Sequence, residues 1–305
     1  MFPSPRLVAL IAMGALALLG PGAGTGASDG ARSLAAYAGL GTWIDIYSPS
    51  FRADPARVAD ALADRGVDAL FVETGNFRQP VDIVAPRRLG ALVEAAHARG
   101  ISVVGWYLPA LTNPQRDRRR ARVAINFRTS NGERLDAFGL DIESSAVRDT
   151  VERTQRLLEL SKRLRADAGP QYPLGAIIPS PVGIKLLPRY WPHFPYAALA
   201  RTYDVLIPMA YFSYRARGPA AVTRYVQTSI RIIRSASGNA TVPIHVIGGL
   251  ASATAARDTA AFARAAASCG VHGLSLYDFD ATKPSAWPQL RSAAARVMAA
   301  SQSSC

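Results

Sequence analysis

The chain has 305 residues, 49% of them hydrophobic, and a formal net charge of +13. This apolar content is enough to fill a folded core, which excludes a globally disordered chain. The arginines are spread along the sequence without a nucleic-acid-binding motif, so we expect no nucleic-acid partner, although the charge is compatible with weak attraction to anionic cell-wall polymer.

Residues 1–27 have the pattern of a secretory signal peptide. Arg6 precedes the apolar run LVALIAMGALALLG at 7–20, and small residues follow it up to a cleavage position near Ala27. The alternative is an uncleaved anchor, but the run is shorter than the ~20 apolar residues that span a bilayer. We therefore expect a secreted protein, either free or associated with the cell wall, with no membrane span after processing and an N-terminal segment at 28–40.

From residue 41 to residue 300 the sequence alternates apolar runs rich in Val, Ile and Leu with helical stretches rich in Ala and Arg. The predicted strands are 41–48, 68–75, 102–110, 137–144, 174–180, 204–212, 243–251 and 273–281. The predicted helices include 54–65, 86–99, 147–167, 220–236, 254–268 and 285–300. This alternation predicts a single α/β domain with the (β/α)8 TIM-barrel fold, followed by a short tail at 301–305. The alternative, a doubly wound open sheet, is disfavoured because IYSPSF follows the first strand instead of a Gly-rich phosphate turn.

The fourth predicted strand, in the segment LDAFGLDIES, carries two acids at its C-terminal end. Strand side chains alternate, so Phe138, Leu140 and Ile142 share one face, and Asp141 and Glu143 share the other. Barrel active sites form at this end of the strands, so we expect both carboxylates in the barrel mouth. Two acids about 7 Å apart there titrate together and one pKa rises, as a general acid requires. The other interpretation is a pair of structural acids bound to arginines at the barrel rim.

The segment DAFGLDIE resembles the fourth-strand signature of glycoside hydrolase family 18, the chitinase class, which reads D-G-x-D-x-D-x-E. Asp136, Asp141 and Glu143 match three of its acids, while Ala137 and Gly139 replace its glycine and its middle aspartate. The resemblance implies that Glu143 is the general acid/base. It also implies that Asp141 orients the acetamido group of the substrate in a substrate-assisted mechanism, without a cofactor.

A second element resembles the same family, which often has M-x-Y-D at the end of strand six. Here MAY, Met209 to Tyr211, is followed by Phe212 in place of the aspartate, and Tyr277 stands in place of the tryptophan that floors the sugar site on strand eight. The resemblance implies that Tyr211 contacts the acetamido group and that the substrate is a polysaccharide or oligosaccharide, with N-acetylhexosamine as a candidate unit. Because Gly139 and Phe212 depart from the pattern, a neighbouring barrel family of polysaccharide hydrolases and a non-catalytic carbohydrate-binding barrel remain alternatives.

Strand seven, PIHVIGGLA, contains no carboxylate, whereas many retaining barrels have a glutamate there. A retaining mechanism with an enzymic nucleophile would therefore need one of four other acids, Asp45, Glu73, Asp278 or Asp280. Asp45 shares its strand face with Trp43 and Tyr47, and Glu73 shares its face with Phe71, which directs both acids toward the mouth.

Aromatic rings stack on sugar faces, and several lie near predicted strand ends or in the loops of the mouth. Together with two of the acids and one methionine they make up the predicted substrate contacts, Trp43, Asp45, Tyr47, Glu73, Tyr107, Trp191, Met209 and Tyr277. Packing is the alternative role of strand aromatics, and it is the role expected for Trp106. We expect His97 and His245 to be structural.

The sequence has no His, Cys or Asp spacing typical of a metal site, no serine nucleophile elbow and no phosphate loop, so we expect neither a metal nor a cofactor. Its cysteines, Cys269 and Cys305, either pair with each other or remain free thiols. We expect the protein to be a monomer.

Overall fold

The computed structural model describes residues 34–300, which alternate strands with helices throughout. The strands are β1 (Gly39–Ile44), β2 (Ala69–Asn76), β3 (Ser102–Leu108), β4 (Ala137–Asp141), β5 (Leu174–Ile178), β6 (Val205–Pro208), β7 (His245–Leu250) and β8 (Gly273–Tyr277). The helices are α1 (Pro49–Arg52), α2 (Pro55–Asp64), α3 (Pro86–His97), α4 (Pro114–Ile125), α5 (Thr150–Ala168), α6 (Pro181–Leu186), α7 (Tyr196–Thr202), α8 (Pro219–Ser237), α9 (Ala256–Ser268) and α10 (Trp287–Ala299). Short 3-10 helices occupy Phe212–Tyr214, Ala251–Ala253 and Pro284–Ala286.

The eight strands form one sheet in the order β6-β5-β4-β3-β2-β1-β8-β7. Parallel ladders join every neighbouring pair in this order. The two end strands, β6 and β7, meet through the isolated bridges Leu206↔Ile244 and Met209↔Ile247, so the sheet is a nearly closed barrel. The prediction of a single TIM-barrel domain is confirmed.

Several helices begin where the sequence places a proline after a capping residue. Proline suits the first turn because its missing N–H would have no partner there. At α2, Asp54 precedes Pro55 and its side chain accepts a hydrogen bond from the backbone N–H of Arg57 at 3.0 Å. At α10, Pro284 begins a 3-10 turn instead, and the α-helix proper starts at Trp287.

The barrel begins slightly earlier than the predicted residue 41. β1 starts at Gly39, since Gly39 and Leu40 already pair with β8. The predicted signal peptide at 1–27 and the tail at 301–305 lie outside the described residues. Cys269 is disulfide-bonded, and Cys305, the other cysteine of the sequence, also lies outside them. Between residues 34 and 300, no helix combines the length and the apolar character needed to cross a bilayer.

Two apolar layers lie on opposite faces of the sheet. In β4, Phe138, Leu140 and Ile142 belong to the outer layer, which packs against the helices, whereas Ala137 belongs to the inner layer along the barrel axis. The predicted alternation of β4 is therefore confirmed. Because Asp141 follows the alternation of Ala137, its side chain points to the axis at the carboxyl end of the strand.

Both histidines singled out from the sequence are structural. His245 is fully buried, with Nδ1 2.8 Å from the carbonyl oxygen of Tyr37 and Nε2 3.0 Å from the hydroxyl of Ser275. Burial lowers the pKa of His245 to about 4, so the ring stays neutral and Nδ1 donates to the carbonyl. His97 lies between the carboxylates of Glu133 and Asp136, at 2.5 and 2.9 Å. These contacts tie α3 to the start of β4.

Candidate active site

A cleft of about 260 Å³ opens at the carboxyl ends of the strands. We call it the acid cleft. It brings together nine of the residues predicted to form the site, which are Trp43, Asp45, Tyr47, Glu73, Asp141, Glu143, Met209, Tyr211 and Tyr277. They come from β1, β2, β4, β6 and β8 or from the loops that follow these strands. The mouth position expected from the barrel geometry is therefore observed for these side chains.

Asp141 and Glu143 form the centre of the acid cleft. Asp141 is 7% exposed, and its Oδ1 is buried without a hydrogen-bond partner. Burial, followed by the charges of Glu143 and Glu73, raises the pKa of Asp141 well above its usual range. Glu143 is open to solvent on one side, yet desolvation by the cleft walls also raises its pKa, against an opposing effect of Arg78. The pair therefore retains a proton at a pH at which isolated carboxyl groups have lost theirs.

The position beneath Asp141 is occupied by apolar side chains. A Cβ added to Gly139 would lie 3.0 Å from Cδ1 of Ile177 and 3.6 Å from Cβ of Trp106. A carboxylate at this position would require Ile177 to move, so the family's middle aspartate has no counterpart on β4. The second buried carboxylate near Asp141 is instead Glu73, which comes from β2.

Glu73 and Asp45 are held by local hydrogen bonds. Glu73 is 2% exposed and accepts from the Asn76 amide at 2.8 Å and from the Ile46 backbone N–H at 3.1 Å. Asp45 Oδ1 accepts from the backbone N–H groups of Tyr47 and Ser48, both at 2.8 Å. Its Oδ2 accepts from the Tyr277 hydroxyl, also at 2.8 Å. Both carboxylates are thus fixed in the wall of the acid cleft.

The other two acids considered as nucleophiles lie outside the acid cleft. Asp278 accepts a hydrogen bond from the backbone N–H of Ala281 at 2.8 Å. Asp280 accepts from the backbone N–H of Ser50 at 3.1 Å and from the hydroxyl of the same residue, so it anchors the short helix α1. Asp45 and Glu73 are therefore the two remaining candidates from that set.

Aromatic rings form one side of the cleft. Trp43 stacks on Phe71 with ring centroids 4.3 Å apart and an interplanar angle of 14°, which fixes the indole in the barrel interior. Tyr277 lies 6.2 Å from Trp43 and 6.3 Å from Tyr211, centroid to centroid. At the rim, the hydroxyl of Tyr47, a residue 54% exposed, accepts a hydrogen bond from Gln79 at 3.0 Å. These rings offer flat apolar faces of the kind on which a pyranose packs.

Two neighbouring residues after β6, Tyr211 and Phe212, lie on opposite faces of the barrel wall. Tyr211 lines the acid cleft, and burial together with the charges of Asp141 and Glu143 raises its pKa, so the hydroxyl keeps its proton. Phe212 is fully buried in the outer layer, 5.8 Å from the ring of Phe262. The chain turns into a 3-10 helix at Phe212, so this position does not face the cleft.

Two of the predicted substrate contacts, Tyr107 and Trp191, lie outside the acid cleft. Tyr107 points to the helix layer, where its hydroxyl donates to Asp117 Oδ1 at 2.7 Å, because the neighbouring Trp106 takes the inward face of β3. Trp191 is fully buried away from the acid cleft. Its Nε1 donates to the Thr154 hydroxyl at 2.8 Å, and the Arg153 guanidinium lies 4.2 Å from its ring centroid.

The acid cleft also contains residues that the sequence did not reveal as site residues. Trp106 belongs to the inner core as expected, but it also lines the cleft, and its Nε1 is buried without a hydrogen-bond partner. Asn76 and Arg78, which follow each other closely at the end of β2, line it as well. Asn76 ends the strand that carries Glu73, and Arg78 follows it. This position near Glu73 could have predicted from the sequence that both residues lie at the site.

No family model matches the sequence, and no curated protein sequence matches it either. Solved structures do resemble the fold. An endo-β-1,4-mannanase from Thermotoga petrophila superposes with a TM-score of 0.67 at 12% identity, covering 86% of this chain and 77% of that one. A chitinase from Bacteroides thetaiotaomicron gives 0.61 at 10% identity, with 86% and 96% covered. A chitinase from Chromobacterium violaceum gives 0.57 at 14% identity, with 87% and 100% covered. The chain therefore has distant structural similarity to (β/α)8 glycoside hydrolases, and at these identities the likeness establishes the fold.

Proposed function

We propose that the protein is a glycoside hydrolase acting on a polysaccharide, with Glu143 as general acid/base and Asp141 as its partner. One observation carries the proposal. A buried acid with a strongly raised pKa and a solvent-facing acid lie two residues apart in a cleft lined by aromatic rings. A purely structural pair would be expected to bind arginines, whereas Asp141 Oδ1 is buried without any partner. The likeness to mannanases and chitinases supports the same class of reaction.

In the proposed reaction Glu143 donates its proton to the glycosidic oxygen as the bond from that oxygen to the anomeric carbon breaks. If the sugar carries a 2-acetamido group, its carbonyl oxygen bonds to the anomeric carbon in place of the leaving group. Water then attacks this carbon, passes a proton back to Glu143 and opens the ring formed by the acetamido group. Asp141, as the ionised member of the pair, accepts a hydrogen bond from the acetamido N–H and balances the positive charge that develops. The hydroxyl of Tyr211 donates a hydrogen bond to the same acetamido group.

The lack of a carboxylate on β7 and the hydrogen bonds already made by Glu73 favour substrate assistance. β7 carries no carboxylate, and both oxygens of Glu73 already accept hydrogen bonds. Asp141 Oδ1, in contrast, is an acceptor that lacks a donor. The second candidate is a retaining glycosidase with an enzymic nucleophile, for which Asp45 and Glu73 are the acids that line the acid cleft. Substrates without N-acetyl groups and a mechanism-based fluorosugar distinguish the two, since only the second mechanism forms a covalent adduct on the protein.

The test is incubation of the purified protein with a panel of chitin, chitosan, peptidoglycan and β-mannan, with new reducing ends as the readout. Loss of a general acid lowers the rate by about 10²–10⁴-fold, so Glu143→Gln should abolish most turnover and still bind sugar. Glu152→Gln, on the exposed surface of α5, is the matched control and should retain full activity. Sugar binding by the parent protein without hydrolysis of any polymer would identify a carbohydrate-binding barrel instead.

We further propose that the protein is exported and acts outside the cell, on the basis of the N-terminal sequence pattern. Mass spectrometry of protein recovered from the producing cells should find a chain that begins near residue 28. A full-length chain retained in the membrane fraction would contradict export by cleavage.

A further inference from the structure

A second cavity, of about 570 Å³, opens beside the acid cleft, and we call it the side cavity. The two share Glu143, Met209 and Tyr211 in their walls. The side cavity continues between α6 and the 3-10 turn that follows β6. Glu143 is the one carboxylate among the described residues that line it, whereas the acid cleft also contains Asp45, Glu73 and Asp141. Glu143 therefore lies between the acid cleft, which contains several carboxylates, and the side cavity, which has no other carboxylate among its described lining residues.

The far wall of the side cavity is aliphatic. It consists of Pro179, Ile184 and Leu187, at the end of β5 and along α6. Leu187, a large apolar side chain of this wall, is 55% exposed. Large apolar side chains that share one exposed concave surface are a common mark of a binding site for an apolar group.

Three of the hydroxyl groups that line the side cavity already have hydrogen-bond partners. The hydroxyls of Ser180 and Tyr225 are hydrogen-bonded to each other at 2.6 Å, and the Tyr190 hydroxyl donates to the backbone oxygen of Glu143 at 2.5 Å. The polar side chains Tyr214 and Arg215 are exposed at the opening. A sugar ring placed against the aliphatic wall would lose the hydration of its hydroxyls without protein partners in exchange, which is unfavourable. An alkyl chain has no such groups to satisfy.

We propose that the side cavity binds an apolar leaving group, the alkyl chain of a lipid-linked or alkyl glycoside, while the acid cleft binds the sugar. This inference rests on the proposed role of Glu143. A general acid that protonates the bridging oxygen must lie between the two groups which that oxygen joins. The carboxylates and rings of the acid cleft suit the sugar, so the leaving group extends past Glu143 into the side cavity.

The test measures binding on Glu143→Gln protein by isothermal titration, so that it does not depend on turnover. The probes are methyl and octyl 2-acetamido-2-deoxy-β-D-glucopyranoside, with the octyl compound below its micelle concentration. The octyl glycoside should bind at least about tenfold more tightly, which is the gain expected from burying about two methylene groups. Leu187→Asn and Ile184→Asn, made in the same background, should reduce this ratio toward one. Leu186→Asn is the matched control, because Leu186 is on α6 with Ile184 and directly precedes Leu187, is 58% exposed and does not line the cavity.

Equal affinity for the two glycosides, or a ratio unchanged by Leu187→Asn together with Ile184→Asn, would overturn the proposal. Chitotetraose binding that falls in these variants, without an octyl preference in the parent, would identify a sugar subsite and would also overturn it. Hydrolysis is measured separately on the wild-type protein. Binding that follows the octyl chain without turnover of any glycoside would reject the hydrolase and keep the apolar site.

Discussion

Asp141→Asn tests the electrostatic coupling at the centre of the acid cleft, because it removes one charge and nearly preserves shape. In the wild type the last proton leaves the acid pair against the negative charge of the partner carboxylate. Two residues along an extended backbone place the charges about 7 Å apart, and at an effective dielectric of about 20 their repulsion is about 2 kcal/mol. Glu143 is open to solvent on one side, so we halve this repulsion to about 1 kcal/mol.

The direction follows from the sign of the charge. A like charge raises the pKa of a carboxyl group, so its removal lowers the pKa of Glu143. A general acid must be protonated, and activity is therefore lost as the pH rises through that pKa. In Asp141→Asn the alkaline limb of kcat/KM, measured from about pH 4 to 9, should move to lower pH by about 0.7 unit, and the maximum rate should also fall.

The matched control is Asp60→Asn, which removes a carboxylate from an exposed ion pair with Arg99 and should leave the limb in place. An alkaline limb that stays unchanged or moves to higher pH in Asp141→Asn would refute the coupling. It would mean that the limb reports a group other than the acid pair.

Two further substitutions examine the barrel interior. Trp106→Phe removes an indole N–H that is buried in the acid cleft without a partner, and it should weaken substrate binding by about 2- to 10-fold with stability nearly unchanged. Trp287→Phe, which removes an equally unpaired N–H from the helix layer, should leave activity unchanged, and equal effects of the two would contradict a substrate contact. Gly273→Ala should lower the free energy of unfolding by about 1–3 kcal/mol, because its Cβ would lie 2.3 Å from Nδ1 of His245. Gly90→Ala, whose Cβ would make ordinary contacts at 3.6 Å, should be neutral or stabilising in urea denaturation; a similar loss in both would reject the steric argument.

The acids of the site could be predicted because they interrupt apolar strands. Asp141 and Glu143 follow the inward alternation of β4, and Asp45 and Glu73 follow that of Trp43 and Phe71. A carboxylate at the carboxyl end of a barrel strand has few structural roles. The residue type and the strand position of these acids together predicted that they lie in the barrel mouth. The eight-fold alternation fixed the fold for the same reason, since each apolar run could only be a strand of a covered sheet.

The two faces of β3 could not be distinguished in the same way. Its sequence SVVGWYL is apolar on both sides, because a parallel barrel strand is buried on both faces. The assignment depends on pairing with its neighbours, in which Trp106 lies opposite Glu73 on β2 and Gly139 on β4. Gly139 lacks a side chain, which leaves room for the indole on the inner face. Tyr107 consequently packs against the helices.

The connection from β5 to β6 was also beyond prediction. None of the helices predicted from the sequence falls in this connection, but it folds into α6 and α7. Trp191 is buried there by contacts with α5, which lies far away in the sequence. Such long-range packing leaves no periodic signal. The side cavity, built by the same connection, could therefore emerge only from the structure.

The incomplete ladder between β6 and β7 has a consequence for motion. Two isolated bridges hold this seam, whereas ladders of at least four paired residues join the other neighbouring strands of the described barrel. Segments with fewer backbone hydrogen bonds open more readily, so we expect amides along the seam to exchange with deuterium before those of β4. Met209 lies at the seam, and it lines both cavities together with Tyr211. Motion there would shift the wall that the two cavities share, whereas Asp141 lies on β4, which pairs without a register shift with both of its neighbours. The barrel would then be more mobile at the wall between the two cavities than at Asp141, the residue proposed to assist the proton transfer.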